Sequence, residues 1–149
     1  MNGDVRLLGL SKSARYALMG LVHLAARPQE GLVLVEAAAR ALELPPSYLA
    51  KLFQRMARKG LLTSHRGPRG GYALARAPED ITLADVVAAT QEPAAGKREC
   101  LLEPRGCTGA KVCSIHEDVL AAERRIQDAL SRITLAQAAR TQPEVNHAA

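Results

Sequence analysis

Cys100, Cys107, Cys113 and His116 form the pattern C-x6-C-x5-C-x2-H, and the chain has no other cysteine. Thiolates and imidazoles are the ligands of soft and borderline metals, so this spacing first suggests a metal or cluster site. Cys113 and His116 stand three residues apart at the start of an expected helix, which brings both side chains to one face. Pro104, Gly106 and Gly109 let the preceding segment bend around a bound group. Structural zinc sites usually contain a tight C-x2-4-C knuckle, which is missing here, whereas wide spacing suits the larger core of an iron-sulfur cluster. Zinc and a thiol redox switch stay open as alternatives. A Cys113 and His116 nucleophile pair would lack an orienting third residue and an oxyanion donor, so no enzyme is expected. Three cysteines cannot all pair, and a reducing compartment would not sustain a disulfide framework.

A second chemistry lies in the charge. Between Pro45 and Arg76 there are seven Lys or Arg (Lys51, Arg55, Arg58, Lys59, Arg66, Arg69 and Arg76) and no Asp or Glu, in a chain of 149 residues with a net charge of +5. A basic block in a slightly acidic remainder is the footprint of phosphate neutralisation, against the blander reading of a solvated helix face. Aromatic residues make up 3% of the chain, too few for the stacking platforms of single-strand binders. Double-stranded DNA is therefore the expected partner.

The elements that must position these residues can be read from periodicity. Helical spacing of Ala17, Leu21, Leu24 and Ala25 predicts a helix over 12–26, ended by Pro28, and an Ala-rich helix follows over 34–41. Pro45 and Pro46 suit the start of a third helix over 47–59. Leu49, Leu52, Phe53 and Met56 make its apolar stripe, and Ser47, Lys51, Gln54 and Arg58 share the opposite face. Two short strands, 61–64 and 72–75, flank a Gly- and Pro-rich connector that carries Arg66 and Arg69. Together these describe a winged helix-turn-helix: mainly α, with a small β-hairpin wing. The third helix would read the major groove through Ser47, Tyr48, Lys51 and Gln54, while Arg55, Arg58, Arg66 and Arg69 would meet phosphates or the minor groove.

Thr82 with Asp85 has the form of a capping box opening a helix to Thr90. A long helix over 114–132 follows the cysteine segment, with Ile115, Val119, Ala122, Ile126, Ala129 and Ile133 spaced four, three, four, three and four. That average of about 3.5 is the period of a helix-helix seam. A second copy of the chain is the expected partner, with packing against its own domain as the alternative. The resulting organisation is 1–90 as the DNA-binding domain, 91–113 as the cysteine-bearing loop, 114–140 as the dimerisation helix and a short last helix, and 141–149 as a tail. No apolar run approaches the roughly 18 residues of a membrane span, and Met1 to Leu10 lacks the form of a signal peptide, so a cytoplasmic protein without membrane contact is expected.

Four segments in order, Leu10 to Leu18 (LSKSARYAL), Ser47 to Phe53 (SYLAKLF), Arg66 to Tyr72 (RGPRGGY) and the three cysteines before a long helix, give the chain a resemblance to the Rrf2 superfamily of bacterial transcription regulators. The ligand pattern is most similar to that of its iron-sulfur regulators of the IscR type. The resemblance implies a homodimeric winged-helix repressor that binds a DNA operator, and a cluster near the DNA-binding domains sensing iron, redox or nitric oxide status. It also implies Cys100, Cys107, Cys113 and His116 as ligands, with 2Fe-2S favoured over 4Fe-4S. A zinc-stabilised or thiol-redox winged-helix module without a cluster is the alternative. The chain departs from the family pattern in its six-residue first cysteine interval. It also has Arg15 where some members carry a ligating aspartate, and Ala50 where IscR-type members carry a glutamate.

Overall fold

The computed structural model describes residues 10–91 and 114–141. The order is α1 (Lys12–Ala25), α2 (Val35–Ala41), α3 (Pro46–Arg58), β1 (Leu62–His65), β2 (Gly71–Leu74), α4 (Leu83–Thr90), α5 (Ser114–Arg132) and α6 (Leu135–Thr141), with short 3-10 turns at Pro28–Glu30 and Pro78–Asp80. This is the expected winged helix-turn-helix with a long helix appended. Among the described residues, no helix is long and apolar enough to cross a membrane.

Local chemistry sets the boundaries. Ser11 caps α1 by accepting from the Ala14 N–H at 3.1 Å, and Pro46 occupies the first turn of α3, where an amide hydrogen has no helical partner. At the other end of α3, Gly60 takes φ 76°. Its N–H donates to Ala57 and the Leu61 N–H donates to Met56, both carbonyls of the last turn, at 3.0 and 2.9 Å. That double closure stops the helix and turns the chain into β1. The turn between α2 and α3 closes the same way, through Glu43 and Leu44 onto Arg40 and Ala39, with Glu43 at φ 54°.

The core lies where α1, α3 and α4 meet under the hairpin, around the fully buried Leu21, Leu49, Phe53, Met56, Ile81, Val86 and Leu135. Leu49, Phe53 and Met56 are the stripe expected of α3. The approach of α1 to α3 depends on Gly20, where a Cβ would stand 2.6 Å from the Phe53 ring. The hairpin pairs Leu62 with Leu74 and Ser64 with Tyr72. It gains a third edge that the sequence reading did not contain, because Val33 and Tyr72 exchange two backbone hydrogen bonds at 2.9 Å.

Two capping boxes anchor the C-terminal helices. Thr82 and Asp85 cap α4 reciprocally at 3.1 and 3.0 Å, as the sequence suggests. Thr134 and Gln137 do the same for α6 at 3.2 and 3.0 Å, a box not anticipated. The two cap segments then pair: Leu83 N–H donates to Ile133 and Leu135 N–H to Ile81, at 2.9 and 2.8 Å. The end of α5 is thereby fastened to the start of α4.

Candidate nucleic-acid interface

The outer face of α3 is built by its own amphipathicity. With its apolar stripe buried, Ser47, Lys51, Gln54 and Arg58 are all exposed and lie on one side of the helix. No acidic residue stands in the first turn of α3, so an approaching phosphate meets no like charge there.

The two flanking residues are already engaged. Tyr48 is half-buried; its hydroxyl lies 2.7 Å from that of Ser13 and its ring sits edge-on to Tyr16 at 5.7 Å between centroids. Arg55 donates to the Thr90 carbonyl at 3.1 Å and so ties α3 to the end of α4. Both are expected at the DNA surface, Tyr48 with packing on the domain as its alternative, and each makes a contact across 35 residues of sequence.

The wing carries its charge at its tip. Gly67 to Gly70 form a tight turn, closed by the Gly70 N–H donating to Gly67 at 2.9 Å, with Pro68 supplying the fixed φ of its second position. A Cβ on Gly70 would collide with the His65 carbonyl oxygen. Arg66, just before that turn, and Arg69, its third residue, are both exposed.

The expected dimer seam lies along α5. Ile115 and Ile133 are 45% and 39% exposed in the single chain, Ala122 is exposed, and Val119, Ile126 and Ala129 are half-buried. Of the expected metal ligands, His116 stands half-buried in the first turn of α5, while Cys100, Cys107 and Cys113 lie outside the described residues. Among the described residues no three His, Cys, Asp or Glu side chains gather into a metal site. The 141–149 tail falls largely outside them too.

The helix pair, the basic helix face and the arginine-tipped hairpin therefore stand in a DNA-reading arrangement. Sequence comparison extends this to the whole described chain: the Rrf2 family, described as an iron-dependent transcriptional regulator, matches residues 10–141. This chain belongs to the Rrf2 family. It is a DNA-binding transcription regulator, and not an enzyme. It is 34% identical over 128 residues to the HTH-type transcriptional regulator IscR of Erwinia tasmaniensis, covering 86% of this chain and 76% of that one. The solved structure of T. potens IscR superposes with a TM-score of 0.69 at 28% identity, covering 95% of each chain. CymR, the global cysteine regulator of B. subtilis, shares the fold with a TM-score of 0.75 at 24% identity, over 89% of this chain and 97% of its own.

Proposed function

We propose that this Rrf2-family regulator is a homodimeric repressor whose operator affinity is set by an iron-sulfur cluster held on Cys100, Cys107, Cys113 and His116. The observation that carries the reading is the donor set itself. Three thiolates and an imidazole match iron-sulfur ligation, and the one described member, His116, is partly accessible in the first turn of α5. The IscR relatives add support, since two regulators with that name align over most of the chain. A 2Fe-2S cluster is the favoured form.

When bound, such a cluster supplies a centre that responds to iron supply, oxidants or nitric oxide. The chain's own residues do the rest. Ser47, Lys51 and Gln54 face the groove as base-reading candidates, and Arg58, Arg66 and Arg69 neutralise phosphates. Ile115, Val119, Ala122, Ile126, Ala129 and Ile133 pair with the same residues of a second copy, so that two α3 helices address successive half-sites. His116 and all of the seam but Ile133 occupy one helix, and Ile133, just past its end, fastens it to the DNA-binding domain through Leu83, Leu135 and Ile81. A change at the ligands can thus shift the population of dimers with the right spacing between recognition helices.

Anaerobic purification followed by an absorption spectrum and metal analysis tests the cofactor. A brown protein with iron and sulfide supports the proposal. A colourless protein with stoichiometric zinc, or with no metal and three reactive thiols, replaces it with the zinc or thiol-redox reading.

A further inference from the structure

The wing and α3 enclose a cleft between them. On β1, Leu62 and Ser64 share a face, since alternate strand residues point the same way. Leu62 is buried in the core, and Ser64, nearer the tip, is exposed. The register sets Ser64 opposite Tyr72, so these two side chains are neighbours on the face turned toward α3. Tyr72 is held firmly: its ring packs against Phe53 at 5.3 Å and its backbone is bonded twice to Val33. Gln54, Ala57 and Arg58 of α3 form the opposite wall of this open cleft of about 420 Å³.

Its chemistry is one-sided. The lining residues carry a guanidinium, a serine hydroxyl, a carboxamide and the Tyr72 phenol, and no carboxylate. No Asp or Glu occurs anywhere between Pro45 and Arg76. The small Ala57 side chain between Gln54 and Arg58 leaves the space open. A cation and a hydroxyl facing one cavity from two different elements suit a single anionic oxygen cluster.

We propose that this cleft seats one phosphodiester of the DNA backbone, gripped by Arg58 from α3 and by Ser64 from the wing. The proposal rests on α3 and the hairpin being the DNA interface, and it adds a site to that interface. A phosphate shared between the two elements fixes the distance between helix and wing on the duplex. It makes Ser64 a DNA-binding residue that composition and charge do not reveal.

The test uses a duplex selected from a randomised library by the wild-type protein, with single methylphosphonates walked along each strand. Arg58→Gln, Ser64→Ala and the double variant are compared on it. Both side chains are exposed, so the core is untouched. Each single change should weaken binding about tenfold, the scale of one hydrogen bond to a charged group. The double variant should lose less than the product of the two. One methylphosphonate position per half-site should weaken the wild type and abolish any further effect of either substitution. Independent multiplication of the two losses, losses that map to different phosphates, or wild-type binding by Ser64→Ala would overturn the shared seat. Failure of the wild-type protein to select any sequence would remove the sequence-specific reading itself, and the seat with it.

Discussion

The hydroxyls of Ser13 and Tyr48 lie 2.7 Å apart and join the first turn of α1 to the first turn of α3. The same tyrosine ring meets Tyr16 edge-on, and the Lys12 ammonium lies 5.5 Å from the Tyr16 ring centre. Tyr48 thus ties the first turn of α3 to α1, beside the exposed polar face of α3. Tyr48→Phe keeps the ring contact and deletes the hydroxyl. It should lower stability by about 0.5–1.5 kcal/mol, seen as a shifted denaturant midpoint at constant slope. Base preference in competition binding should stay as in the wild type, and a changed preference would make Tyr48 a base reader.

Much of this architecture is legible in the sequence because it is local. The two faces of α3 follow from a 3.6-residue period, and the Thr82 and Asp85 box from residues three apart. Relationships between distant residues are not legible in this way. Arg55 looks like one more surface cation until Thr90 is brought beside it, and Val33 gives no strand signal because it pairs as a single residue. Thr134 with Gln137 has the sequence form of a capping box and could have been read. The cysteine pattern speaks from its spacing alone, since Cys100, Cys107 and Cys113 lie outside the described residues.

Arg69 stands exposed at the tip of the wing, in the turn from Gly67 to Gly70. If it neutralises one phosphate, Arg69→Ala should reduce the magnitude of the log-log salt slope by about 0.9 and weaken binding across all sequences alike. An unchanged slope would take the wing tip out of the interface.

The expected seam is apolar and partly uncovered in the single chain, with Ile115 and Ile133 exposed at its ends and Ile126 half-buried near its middle. Ile126→Asp would bury an unpaired charge between two copies, at a cost of several kcal/mol. Sedimentation should then find folded monomers in place of dimers. A dimeric Ile126→Asp protein would put the interface elsewhere.

Among the described residues, His23 is the buried titratable group, 5% exposed on α1. Arg27 donates from Nη1 to its Nδ1 at 2.8 Å and pairs through Nε with Glu30 at 3.3 Å. A guanidinium can only donate, so Nδ1 accepts and the ring is neutral. Burial first, and the Arg27 charge second, hold His23 below its ordinary value of 6.5, with Glu30 opposing. The unfolded chain takes up this proton near pH 6.5 while the folded ring resists it. The stability contribution is therefore whole above about pH 6.5 and is lost as pH falls toward the folded value. Unfolding midpoints measured from about pH 7.5 down to about pH 5.5 should fall for the wild type and fall less for His23→Gln. Parallel profiles would assign the acid sensitivity to other groups.

The central claim is that the state of the cysteine and histidine site governs operator affinity. It is tested most directly by titrating one selected duplex, anaerobically and at fixed salt, with the cluster-loaded protein and with the same preparation stripped by chelator. The account predicts dissociation constants that differ by about 5- to 150-fold, the usual range of a coupling free energy between two sites. Equal affinities for the two forms, both folded and dimeric, would contradict it.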